Sequence, residues 1–287
     1  MKTHLNTLFV TIDGSYICKD GAAVEIRHEG ESKLRVPLHN LSGIVAFGWE
    51  ITVSAALMHA CAEANVALTF HNPYGKFLAS TQGPISGNVL LRRAQYRTAD
   101  NEEQSVAIAR HIITAKIANT RTILQRYIRE HSENNPNVLK LVKISDYLAN
   151  RIGVLQQATN LDTIRGIEGD AAAEYFSVFN HLITLSSQGT LRLNGRTRRP
   201  PLDPVNALLS FLYALLAHDC RSAIESVGLD PQCGFLHRDR PGRPSLALDM
   251  MEEFRPVLAD RAALTLINRQ QEFRSNMSGM WIRKIGK

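Results

Sequence analysis

The hydrophobic period of this chain changes once along its length. Up to about residue 90 the apolar residues alternate or run in short blocks, as strands do. From Glu102 onward they recur every three to four positions, as amphipathic helices do. The sequence therefore predicts an α+β chain, with a mostly-β unit over residues 1–90 and a helical unit over 91–287. An apolar fraction of 44% in 287 residues is enough for one large core or two smaller ones.

Within the first unit, NTLFVTI ends at Asp13-Gly14, a turn signal, with SYICK as the expected partner strand. AAVEIRHEG and SKLRVPL form a second expected hairpin around Gly30. GIVAFG reads as a buried strand. ITVSAALMHACAEANV has helical spacing, with Leu57, Ala60, Cys61 and Ala64 on one face. VALTFHN returns to a strand and turns at Tyr74-Gly75 into KFLAS. GNVLLRRAQYRT reads as the bridge to the second unit.

Five helical stretches follow. The first, SVAIARHIITAKIANTRTILQRYIRE, is long and ends before Pro136. The second is VLKLVKISDYLANRIGVLQQA. The third is LDTIRGIEGDAAAEYFSVFNHLI, with Asp162 as the expected cap. The fourth, PVNALLSFLYALLAHDCRSAIESVG, is apolar enough to be central. The fifth, LALDMMEEFRPVLADRAALTLINR, is expected to kink or divide at Pro256.

Two loops rich in arginine interrupt the helices, one with Arg192, Arg196, Arg198 and Arg199, the other with His237, Arg238, Arg240 and Arg243. Each reads equally well as a solvated loop or as a phosphate-binding one. A formal net charge of +6 suits a polyanionic partner. The N-terminus lacks the pattern of a signal peptide, and no run of about 18 apolar residues suggests a membrane span. The expected setting is cytoplasmic, with no membrane partner. Cys18, Cys61, Cys220 and Cys233 form no CxxC pair, so they are expected to be reduced and mostly buried.

Chemistry is concentrated in three places. Glu168 lies in IRGIEGDAAAEYF between Gly166 and Gly169, whose smallness would let a backbone or ligand approach. Taken alone, it is better explained as an ordinary acid near a helix start, and Asp170 and Glu174 are equal candidates. His237 follows the apolar GFL and sits among arginines. Asp249 and Glu252 are three apart on one helix face amid apolar neighbours, where two carboxylates need a cation between them. Arg255 or a metal would serve. Carboxylates with one imidazole suit Mg²⁺ or Mn²⁺, ions that assist phosphodiester chemistry.

Six blocks together go further. GFLHRDRPGRPSLALDMMEEFRP, NTLFVTIDG, VPLHNLSGIVAFG, GNVLLRRAQYR, RGIEGDAAAEYF and DPVNALLSFLYALL resemble the CRISPR-associated adaptation integrase/endonuclease family, in the form found with type I-C systems. The resemblance spans residues 5–270. It implies an N-terminal β-sandwich-like domain followed by a larger all-α catalytic domain. It implies a homodimer that works with a small ferredoxin-like second CRISPR-associated adaptation protein. The implied activity is metal-dependent: joining 3′-hydroxyl ends of short double-stranded DNA into the CRISPR repeat, and nicking DNA. It assigns metal ligands to Glu168, His237 and Glu252, an adjoining acidic role to Asp249, and an active-site tyrosine to Tyr213. Glu253 is disfavoured as a ligand. Arg196, Arg198, Arg199, Arg238, Arg240 and Arg243 are the expected DNA contacts.

The tail departs from that family: after LINRQQ the chain runs EFRSNMSGMWIRKIGK, basic at Arg274, Arg283, Lys284 and Lys287. It motivates an alternative, a DNA-binding dimer of the adaptation complex with impaired catalysis. A third reading, a hydrolase of other phosphate esters, fits the basic loops but not the six blocks.

Overall fold

The computed structural model describes residues 6–81, 83, 89–131, 136–183, 191–197 and 200–269, and the backbone of 274–275 and 281–282. Arg198, Arg199, Arg283, Lys284 and Lys287 lie outside the described residues. The chain divides into two compact units, Met1–Ser86 with Glu272–Lys287, and Gly87–Gln271.

The first unit holds two four-stranded sheets. One runs in the order β1 (Asn6–Val10), β5 (Leu41–Phe47), β7 (Ala67–His71), β8 (Phe77–Thr81). Its first three strands are parallel and β8 returns antiparallel. The other runs β4 (Glu31–Pro37), β3 (Ala23–His28), β2 (Tyr16–Asp20), β6 (Thr52–Val53). Helix α1 (Ala55–Glu63) is capped by Ser54, whose hydroxyl accepts from Leu57 N. Val10, Ile17, Val24, Ile44, Leu57, Cys61 and Leu68 from both sheets and the helix share one core.

The expected hairpin at Glu29-Gly30 forms, with both residues at positive φ. The one at Asp13-Gly14 does not. β1 pairs with β5, and β2 with β3 and β6. Asp13 Oδ1 accepts from Glu50 N at 2.8 Å, and this tie anchors a crossing from one sheet to the other. A turn signal fixes a change of direction, not which strand is paired next.

The second unit is helical. The stretch expected to be a bridge is itself a helix, α2 (Val89–Asp100). Then follow α3 (Glu102–Glu130), α4 (Pro136–Gln156), α5 (Leu161–Ser177), α6 (Pro204–Ser226) and α7 (Ser245–Phe254). A π-helical segment, Arg255–Asp260, precedes α8 (Arg261–Asn268). Pro256 lies in that segment, so the fifth stretch is divided where its proline suggested. Asn101, Asn160 and Asp203 cap α3, α5 and α6 with their side-chain oxygens. Asn160, not Asp162, caps α5; Asp162 lies one residue inside the helix and pairs with Arg165 and Arg238.

Helix α3 is the spine. Ala109, Ile113, Ile117, Thr120 and Leu124 are buried along one side, and it packs on α4, α5 and α7. By length and composition α6 could cross a membrane; Val205, Leu209, Leu216 and Ile224 on it are buried in the helical cores. All four cysteines are free; three are buried and Cys233 is half-buried.

Candidate active site

Three segments distant in sequence converge on one point beside α3. Glu168 comes from the middle of α5, rather than its start. Glu252 comes from α7, and His237 from the loop before α7. The cation between the two carboxylates comes from α3. Lys116 Nζ donates to Glu168 Oε1, and to Glu252 Oε2 at 2.6 Å. Glu252 is only 3% exposed, and Arg255 Nη1 reaches its other oxygen at 2.5 Å. Burial alone would raise the Glu252 carboxyl, but Lys116 and Arg255 outweigh it and hold it below its ordinary value.

Asp249 has a different task from Glu252, although the two share a helix face. Its fully buried carboxylate accepts from the backbone N–H groups of Phe235, Leu236 and His237, at 2.6, 2.9 and 3.0 Å. It also takes His237 Nδ1 at 2.6 Å. A carboxylate there places the ring proton on Nδ1. In the neutral ring Nε2 then carries the free lone pair. That nitrogen stands 3.9 Å from Glu252 Oε1. Asp249 is thus spent on holding His237, as the outer partner of a metal-binding histidine is.

Gly234 makes this possible. A Cβ there would lie 2.7 Å from Asp249 Oδ2 and 2.8 Å from the Ser245 carbonyl carbon. Only glycine lets the loop come that close to α7. Gly166 and Gly169 differ: an added Cβ would meet nothing within 4 Å, so no backbone approaches there as their smallness suggested.

Tyr213 lies beside the cluster, its hydroxyl engaged by Asp260. Its hydroxyl donates to Asp260 Oδ1 at 2.6 Å, and the guanidiniums of Arg196 and Arg255 each sit 5.2 Å from its ring centroid. Burial and the Asp260 charge push its hydroxyl well above the usual range, so it is a neutral donor at ordinary pH. Asp260 is buried at the end of the π segment, and burial raises its carboxyl to about 6. Lys116, Glu168, Tyr213, Arg255 and Asp260 border a cavity of about 30 Å³, room for a water molecule.

The arginines divide into groups. Arg196 faces inward, bonding Asn206 Oδ1 at 2.8 Å besides covering Tyr213. Arg238 is exposed and held by Asp162 at 2.8 and 2.9 Å. Arg240 is exposed and Arg243 half-buried. With Arg165 and His237, Arg238 and Arg240 line an open groove of about 740 Å³. Asp170 pairs with Arg151, and Glu253 accepts from Asn119 on its backbone carbonyl.

Sequence reasoning misses Lys116 and Asp260. A signal for Lys116 existed: it is three residues from Ile113 and four from Thr120, both buried.

Two carboxylates and one imidazole nitrogen are a donor set that suits Mg²⁺ or Mn²⁺. Among the described residues no three His, Cys, Asp or Glu side chains stand ready as a metal cluster. The ammonium of Lys116 lies between the two carboxylates, the position a shared cation takes.

The family model described as CRISPR associated protein Cas1 matches residues 8–287. CRISPR-associated endonuclease Cas1 1 of Chlorobaculum tepidum is 54% identical over 271 residues, covering 94% of this chain and 78% of that protein. A Cas1 protein of Thermotoga maritima has the same fold, with a TM-score of 0.78 and 26% identity over 97% of this chain and 85% of its own. A chain of a Cas6-RT-Cas1--Cas2 complex matches with a TM-score of 0.74 and 25% identity, over 96% of this chain and 29% of that one. With its sequence matched nearly end to end and its strands and helices arranged as in solved relatives, the chain belongs to the Cas1 family.

Proposed function

We infer that this chain is a metal-dependent DNA endonuclease and integrase of CRISPR spacer acquisition, joining 3′-hydroxyl ends of short duplex DNA into the CRISPR repeat array. Membership of a family whose relatives are named endonucleases supports the nuclease part. The observation that carries the chemistry is the meeting of Glu168 and Glu252 on one cation with the His237 imidazole beside them.

Glu168, Glu252 and His237 Nε2 would hold Mg²⁺ or Mn²⁺. Such an ion polarises a phosphoryl oxygen and orients the attacking hydroxyl or water. The protein's own groups prepare the site. Asp249 fixes the His237 tautomer, and Arg255 neutralises the Glu252 oxygen turned from Lys116. Tyr213 stays protonated, so its part is orientation and not nucleophilic attack. Arg240 and Arg238, which line the groove, would hold backbone phosphates there, Arg238 by exchanging Asp162 for a phosphate. The partners in this reading are double-stranded DNA, a second copy of the chain and the small protein Cas2, which is present in the solved complex of a relative. The work takes place in the cytoplasm.

The test is Mn²⁺-dependent strand joining and nicking by the wild-type chain and by Glu168→Ala. EDTA and the substitution should each abolish both reactions and leave DNA binding. Undiminished joining by folded Glu168→Ala contradicts the site. DNA binding without any metal-dependent reaction supports instead a dimer with impaired catalysis.

A further inference from the structure

The cation that joins the two carboxylates belongs to neither of their helices. Lys116 is on the face of α3 that carries Ile113, Ile117 and Thr120, all buried, so the helix fixes where its stem begins. Its side chain is 12% exposed and donates to Glu168 and to Glu252, on α5 and α7. Glu252 is more deeply buried still. Two carboxylates brought this close repel strongly without a positive charge between them. The ammonium is therefore what holds the two carboxylates together before any ion arrives.

A divalent ion bound to the same oxygens would compete with that ammonium. The surroundings offer Lys116 a second place. It borders the cavity of about 30 Å³ that also reaches the Asp260 carboxylate and the Tyr213 ring.

We propose that Lys116 is the resident cation of this site, exchanging with the divalent ion, so that metal binding is a competition with an intramolecular ammonium. The proposal rests on the metal-site reading above. The two carboxylates stay together in the metal-free protein, and its affinity for metal is lower than the same donors would give without the ammonium. Lys116 is then a positioning residue, acting through Glu168 and Glu252.

The experiment uses the full chain without DNA, with Mn²⁺ as the probe, followed by calorimetry and by melting temperature. Lys116→Met keeps the apolar stem and removes the charge. It should bind Mn²⁺ about tenfold more tightly than wild type or better. It should also melt at a lower temperature without metal and gain more from added Mn²⁺ than wild type gains. Lys116→Arg, which keeps the charge, should not bind more tightly. If Lys116→Met does not fold without metal, Lys116→Gln, which can still donate to a carboxylate, makes the same comparison. Equal or weaker Mn²⁺ affinity in a folded neutral variant, with wild type binding normally, overturns the exchange alone. Failure of wild type and of both neutral variants to bind Mn²⁺ overturns the metal-site reading, and the exchange with it.

Discussion

Asp249 Oδ1 lies 2.6 Å from His237 Nδ1, while both Asp249 oxygens also gather the backbone N–H groups of residues 235–237. One buried carboxylate thus sets the ring, its tautomer and the loop that bears it. Asp249→Asn keeps the shape but turns an NH₂ group toward N–H donors that need an acceptor. Mn²⁺ affinity should fall by about 10–100-fold, the cost of losing an outer partner of a metal-binding histidine. Stability should fall by about 1–3 kcal/mol for a donor left unpaired. Calorimetry and urea unfolding read the two effects separately. Unchanged metal affinity would mean that Asp249 serves the fold alone.

The glycines of the site predict opposite outcomes. Gly234→Ala pushes a Cβ against Asp249 Oδ2 and the Ser245 backbone, neither of which can move freely. It should cost about 1–3 kcal/mol and weaken metal binding together with stability. Gly169→Ala, in the interior of α5 with open space around it, should stabilise by about 0.5–1 kcal/mol. Urea midpoints of the two variants, shifted in opposite directions, are the check.

Two carboxyl groups of the site contribute to stability with opposite signs as pH changes. Glu252 is held below the ordinary carboxyl value of 4.5, so its contribution is present above that value and is lost as pH falls through the folded one. Asp260 is raised from 3.8 to about 6, so its contribution is full below 3.8 and lost as pH rises through about 6. Asp260→Asn should therefore gain on wild type as pH climbs across that interval, and the difference should level off above it. Unfolding midpoints of both chains across the interval measure this. A difference independent of pH would show that Asp260 is not the titrating group.

Much of the fold was legible because hydrophobic period is a local property. The single change of period located the β unit and the helical stretches. β1 and β2 escaped because Asp13-Gly14 looks the same in a hairpin and in a crossing between sheets. The difference is the tie to Glu50, distant in sequence. The cap of α5 was misplaced by two residues because Asn160 and Asp162 are equally good cap types.

The site was legible unevenly. Spacing joined Asp249 to Glu252, but only the contacts separate a carboxylate that holds a histidine from one that faces a cation. Glu168 could not be told from Asp170 by spacing, and the resemblance selected it. In the structure Asp170 is engaged by Arg151 and Glu168 by Lys116. Lys116 was overlooked because a lysine on a long amphipathic helix is ordinarily a solvated one. Its meaning comes from α5 and α7, which pack against α3 from far along the chain.

The central proposal is that Glu168, Glu252 and His237 act as one metal site. The most direct measurement is Mn²⁺ binding to the full chain by titration calorimetry, comparing wild type with Glu252→Gln and His237→Ala. A single site per chain in wild type, weakened by at least about tenfold in each folded variant, is the predicted result. Binding of the same stoichiometry and affinity in all three would contradict it.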